Sequence, residues 1–75
     1  MIAKKSNHII PTAKGWVVKK SGASRASKIF TEKSDAVLYG IKLSKEEKTE
    51  LYTHTKNGTI QSKKSFINHE SLAVN

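Results

Sequence analysis

The chain has 75 residues, with 14 Lys or Arg against 6 Asp or Glu, a net charge of +8 and an isoelectric point near 9.9. This length holds one domain at most, and a domain so small buries only about 60% of the surface its unfolded chain exposes, so the core must be thin. Without cysteine there is no disulfide staple, thiolate zinc site or thiol nucleophile; no run approaches the roughly 18 apolar residues of a membrane span, and no signal peptide is read before Pro11, so a soluble cytoplasmic protein is expected.

In chain order, residues 1–6 are polar, lack periodicity and include Lys4 and Lys5, which reads as a flexible basic arm. The single domain is expected over residues 7–68, followed by a tail over residues 69–75. His8 to Pro11 is short, rich in isoleucine and closed by a proline that cannot donate to a ladder, which suits an edge or first strand. After a turn at Thr12 to Lys14, the segment Gly15 to Lys20 alternates. Trp16 and Val18 share one face, expected inside, and Val17 and Lys19 share the other. Ser21 to Ser24 reads as a turn, with Gly22 free to take positive φ, and Ile29 and Phe30 mark a third short strand.

A helix follows. Thr31 is placed to cap it, Glu32 and Asp35 lie in the first turn where the dipole favours acids, and Lys45 and Lys48 lie near the end where it favours cations. Ala36, Val37, Gly40, Ile41 and Ser44 recur at helical spacing and form a stripe that can lie on a sheet, with Gly40 allowing close approach. Glu50 to Thr55 and Thr59 to Ser65 flank Lys56-Asn57-Gly58, a strong hairpin signal. Leu51, Thr53 and Ile60 are expected to face the helix, and Tyr52, His54, Gln61 and Lys63 to face away. The last residues lack period, Phe66 and Leu72 being the candidates there for packing. The fold class is therefore α+β: an antiparallel sheet of four to five short strands in the order β-β-(β)-α-β-β, with one helix packed on one face.

Four segments carry a resemblance: His8-Ile9-Ile10-Pro11, Gly15-Trp16-Val17-Val18-Lys19, Gly22-Ala23-Ser24-Arg25-Ala26-Ser27 and Asn57-Gly58-Thr59-Ile60-Gln61. In order and spacing they resemble the domain-of-unknown-function family 2188 (DUF2188), small single domains of bacteria and phages. The most specific parts are the Gly-Trp pair and the Gly-Ala-x-Arg-Ala-Ser run, and the similarity covers about Asn7 to Asn68. Where the family commonly closes with Ser-Tyr-Gly-Asn-Asp-Pro, this chain has Ser65-Phe66-Ile67-Asn68-His69-Glu70. The resemblance implies a compact strand-strand-helix-strand-strand domain and no particular activity.

Catalytic chemistry is not expected. His8, His54 and His69 have no spacing that sets two ligands on one helix face, so neither a metal nor another cofactor is expected. Ser24 and Ser27 have no base placed to activate them, and Glu46, Glu47 and Glu50 read as a solvated helix end rather than an acid-base pair. The loop at Gly22 is too short for a phosphate-binding loop.

Charge distribution points to binding instead. Seven cations precede Glu32 with no acid among them, residues 32–50 carry −1, and the remainder carries +2. A basic field segregated to particular elements draws polyanions. With the helix on one sheet face, the other carries Lys19, Tyr52, His54 and Lys63, with Lys20, Arg25 and Lys28 at the adjoining loop and edge. Interleaved aromatic and cationic side chains on an open sheet suit base stacking and phosphate tracking. A single arginine leaves little capacity for bidentate guanine readout, so nucleic-acid binding through this face and the loop 19–28 would be weak in sequence preference and salt-dependent. Two alternatives stand beside it. One is a small phage or bacterial accessory protein that binds or inhibits an acidic protein partner; the other is a homodimer paired through exposed strand edges. The same side chains also suit a merely half-buried β surface.

Overall fold

A computed structural model describes residues 6–67. Five strands and one helix follow in the order β1 (Asn7–Thr12), β2 (Gly15–Lys20), β3 (Lys28–Phe30), α1 (Lys33–Glu47), β4 (Glu50–His54) and β5 (Ile60–Ser65). The class is α+β, as the sequence predicts. The sheet order is β3-β2-β1-β4-β5. Most of the expected arm and the whole expected tail, including His69 and Leu72, lie outside the described residues.

The sheet is mixed, not antiparallel throughout. β1 pairs antiparallel with β2 but parallel with β4, with Asn7 opposite Leu51, His8 opposite Tyr52 and Ile9 opposite Thr53. The cause is topological: the meander ends at one edge with β3, and the helix carries the chain back over the sheet to the free side of β1. β1 is therefore the central strand rather than an edge. Pro11 is tolerated there because the ladder with β4 ends at Ile9, so no donor is required of the proline on that side.

The turns follow their local chemistry. At the first hairpin Thr12 Oγ1 donates to the Gly15 carbonyl at 2.9 Å and accepts from the Lys14 N–H at 3.2 Å. Gly15 has φ +132°, and a Cβ there would lie 2.4 Å from the Phe30 carbonyl oxygen, so neither the backbone nor the space admits a side chain. In the second hairpin the Gly58 N–H donates to Thr55 O at 2.9 Å and the Thr55 N–H to Thr59 O at 2.8 Å. This is a three-residue loop with Gly58 at φ 89°.

The helix starts one residue later than expected. Glu32, not Thr31, occupies the cap position, with extended φ/ψ and no side-chain hydrogen bond. At the other end Lys48 adopts left-handed geometry, and its N–H closes on the carbonyls of Lys45 and Ser44. The buried stripe is Ala36, Gly40 and Ser44. A Cβ on Gly40 would lie 2.9 Å from Leu51 Cδ1 and 3.1 Å from Ile9 Cδ1, so the small residue sets how closely helix and sheet approach.

Ile9, Val18, Ala36 and Leu51 form the fully buried core, and Trp16, Phe30, Val37, Tyr39, Ile41 and Phe66 pack around it half-buried. Lysines roof this thin rim: Lys33 Nζ lies 5.5 Å from the Trp16 ring centroid, Lys28 Nζ 5.6 Å from that of Phe30 and Lys45 Nζ 6.0 Å from that of Phe66. Beside the core is a polar knot that the sequence did not announce. Fully buried Asn7 donates through Nδ2 to Ser44 Oγ at 3.0 Å and Glu47 Oε1 at 3.1 Å, and its Oδ1 accepts from Lys20 Nζ at 3.3 Å. Lys20 and Glu47 close the circuit as an ion pair.

Candidate functional site

The sheet face away from α1 is built from two cross-strand rows. In the first, Lys19 of β2 stands opposite His8 of β1, His8 opposite Tyr52 of β4, and Tyr52 opposite Lys63 of β5. In the second, Ile29, Val17 and Ile10 lie in register across β3, β2 and β1, while His54 faces Ile60 across β4 and β5. One row is basic and aromatic, and the other is largely apolar.

Register explains the second row. A bulge between Thr53 and His54 shifts β5 by one position, so Ile60 pairs with His54 and points outward, 55% exposed, instead of facing the helix. The same shift turns Gln61 to the helix side, where its Oε1 accepts from Lys33 Nζ at 2.8 Å. The expectation for these two residues is thus reversed, because strict alternation from an assumed register fails at a bulge.

The rings on this face are held by one another. His8 and Tyr52 stack with centroids 5.1 Å apart and 13° between planes, and His8 and His54 lie 5.1 Å apart at 33°. His8 Nδ1 shares a hydrogen bond with His54 Nε2 at 2.8 Å, while His8 Nε2 bonds Ser6 Oγ at 2.9 Å. Ser6 is itself tied down, its carbonyl accepting from the Ser21 N–H at 2.9 Å. Burial first, and the His54 charge second, hold His8 below the ordinary histidine pKa. On the far side of the row the Tyr52 hydroxyl donates to Glu50 Oε1 at 2.7 Å, and Lys63 Nζ sits 5.8 Å from the Tyr52 centroid and 3.7 Å from Glu50 Oε2. The hydrogen bond to Glu50, followed by burial and the carboxylate charge, pushes the Tyr52 phenol above its usual value, with Lys63 opposing. One face of Tyr52 is thus taken by His8 and the other by an ammonium, and the row offers solvent its ring edges and cations.

Of the residues singled out from sequence, the structure brings Lys19, Tyr52, His54 and Lys63 together on this face. Arg25 is exposed in the loop between β2 and β3. Lys20 and Lys28 are not part of the face. Lys20 alternates with Lys19 and so points to Glu47, and Lys28 stands opposite Val18 on the helix side with its ammonium over Phe30 and Tyr39. His8, at the centre of the row, was not among the chosen residues. Its place depends on the parallel pairing of β1 with β4, a contact between residues 44 apart that no local pattern announces. Among the described residues no three His, Asp or Glu side chains gather as a metal-holding group.

A shallow depression of about 230 Å³ opens beside the row, edged by His8, Ile10, His54 and the run from Lys19 through Lys20 to the turn residues Ser21 to Ala23. Charge is divided between the layers. Residues 6–31 and 49–67, which build the sheet and its loops, carry eight cations against Glu50 alone, whereas residues 32–48, the helix and its ends, carry four lysines and four acids.

A five-stranded mixed sheet covered by one helix on one side and carrying an open basic and aromatic row on the other defines a small α+β domain. The chain belongs to the family described as uncharacterized protein conserved in bacteria (DUF2188), which it matches over residues 7–66. It is 34% identical over 62 residues to the uncharacterized protein YdaT of Bacillus subtilis (strain 168), an alignment that takes in 83% of this chain and 41% of that one. The chain thus spans less than half the length of that relative. No solved structure matches. Among the described residues no helix is long and apolar enough to cross a membrane.

Proposed function

We propose that the protein is a non-enzymatic binding module that holds nucleic acid with little sequence preference, through its open sheet face and the loop over residues 19–28, in the cytoplasm. The observation that carries this reading is the division of charge: among the described residues the sheet layer and its loops carry the net positive charge, and the helix layer has equal numbers of cations and acids. Lys19 and Lys63 contact phosphates as point charges and the Arg25 guanidinium forks onto phosphate oxygens; none of these contacts carries base readout. Because both faces of Tyr52 are occupied, contact is electrostatic and through ring edges, not by stacking of bases on the tyrosine.

The apolar row supports a second reading, an acidic protein partner. Ile29 and Ile60 are 49% and 55% exposed on the face that also carries Lys19 and Lys63, and a phosphate backbone gains nothing from them. Titration with labelled single- and double-stranded DNA and RNA over a salt series separates the two. The nucleic-acid reading expects affinity that falls steeply with salt and differs little between sequences. Absence of a shift at low salt overturns it, and leaves the apolar row as the feature to follow.

A further inference from the structure

We propose that His8 and His54, with Lys19 beside them, form a proton-dependent oxyanion subsite that takes one phosphate group of a bound polyanion. This rests on the polyanion reading above and specifies where on the face a phosphate is held and in which protonation state. The geometry is unusual in that two imidazoles on adjacent strands bond directly to each other, His8 Nδ1 to His54 Nε2 at 2.8 Å, at the edge of an open depression. Lys19 stands opposite His8 in the β1–β2 register and lines the same depression.

Proton counting sets the states of the pair. Two neutral rings carry two protons on four nitrogens, and one of these lies in the bond between them. Adding a third proton keeps the bond. One nitrogen still accepts across it, while His8 Nε2–H donates to Ser6 Oγ and His54 Nδ1–H is left to donate outward. A fourth proton sets two N–H groups against each other across 2.8 Å and breaks the bond. The pair therefore takes up one positive charge without rearranging, and that charge sits beside a lysine in a depression large enough for a phosphate group.

The charged groups around the pair decide its sign of response. From β2, Lys19 faces it; the Lys20 ammonium is turned to Glu47. From β4, Tyr52 stacks on His8 as a neutral phenol, with Glu50 and Lys63 beyond it and paired with each other. In the free protein burial disfavours the third proton, and a phosphate placed against the pair offsets that penalty. Binding and proton uptake are linked, so affinity rises as pH falls.

The test is binding of a labelled oligothymidylate at fixed salt between about pH 7.5 and about pH 5.5, with parallel binding of inorganic polyphosphate. Affinity is expected to rise on acidification by up to about tenfold per pH unit where one proton is taken up. The slope should vanish in His54→Gln and in His8→Gln, either variant sufficing if the other fails to fold. Lys19→Gln should weaken binding at every pH and keep the slope. Equal affinity across the range, or a slope unchanged in a folded His54→Gln protein, overturns the subsite and leaves the polyanion reading standing. No binding at any pH overturns both.

Discussion

Lys19 and Lys20 are neighbours in sequence and live on opposite faces of the sheet, and their contrast sets out how the molecule divides its work. On the helix-covered face Lys20 joins Glu47, Asn7 and Ser44 in a closed polar circuit, and the lysines around it roof aromatic rings. On the open face Lys19 stands beside a histidine pair, and Lys63, itself exposed, lies against the half-buried Glu50 carboxylate and the Tyr52 ring. The same residue type thus closes a polar circuit on one side and borders the open surface on the other. With four fully buried apolar side chains among the described residues, covering the core rim is as pressing a task as meeting a partner.

Substitutions on the covered face should break folding and those on the open face should not. The largest effect is expected for Ile9→Ala, at the centre of the core against Gly40: a loss of about 2–5 kcal/mol in denaturant unfolding, which a domain of this size survives poorly. Gly15→Ala should lose about 1–3 kcal/mol, since it forces an L-residue to φ +132° and into the Phe30 carbonyl. Glu47→Ala leaves Lys20 and the buried Asn7 amide short of a partner and should lose about 1–3 kcal/mol by the same assay. Lys63→Gln should change stability by less than about 0.5 kcal/mol, because its pairing is exposed. If Glu47→Ala proves as silent as Lys63→Gln, the two faces are not divided in this way.

Acid sharpens the contrast. The folded state holds His8 below the ordinary histidine value, so the unfolded chain binds its proton first as pH falls. Its stabilising contribution is present above the ordinary histidine range and lost as pH falls toward the lowered folded value. Thermal unfolding followed through that window should show a modest decline that is absent in a folded His8→Gln protein.

Much of this was legible locally. The Asn57-Gly58 hairpin, the Ala36, Gly40 and Ser44 stripe and the inward Trp16 and Val18 each follow from signals within a few residues. What escaped depends on contacts between distant segments. The parallel β1–β4 pairing moved β1 to the centre and put His8 between Tyr52 and His54; the bulge beside His54 exchanged Ile60 and Gln61; and Lys20, expected at the adjoining loop and edge, is paired with Glu47 of the helix. Lys19, Tyr52, His54 and Lys63 were readable because alternation within a strand requires no knowledge of its neighbour, and Lys28 does stand at the edge, on β3, with its side chain on the helix side.

The open basic face is tested most directly by the salt dependence of nucleic-acid binding by the intact protein and by the Lys19→Gln, Lys63→Gln double variant. The expected result is a linear fall of log affinity with log salt for the intact protein and a slope shallower by about two phosphate contacts for the variant, with unfolding unchanged. Binding of equal slope in the two proteins, or none at low salt, would contradict it.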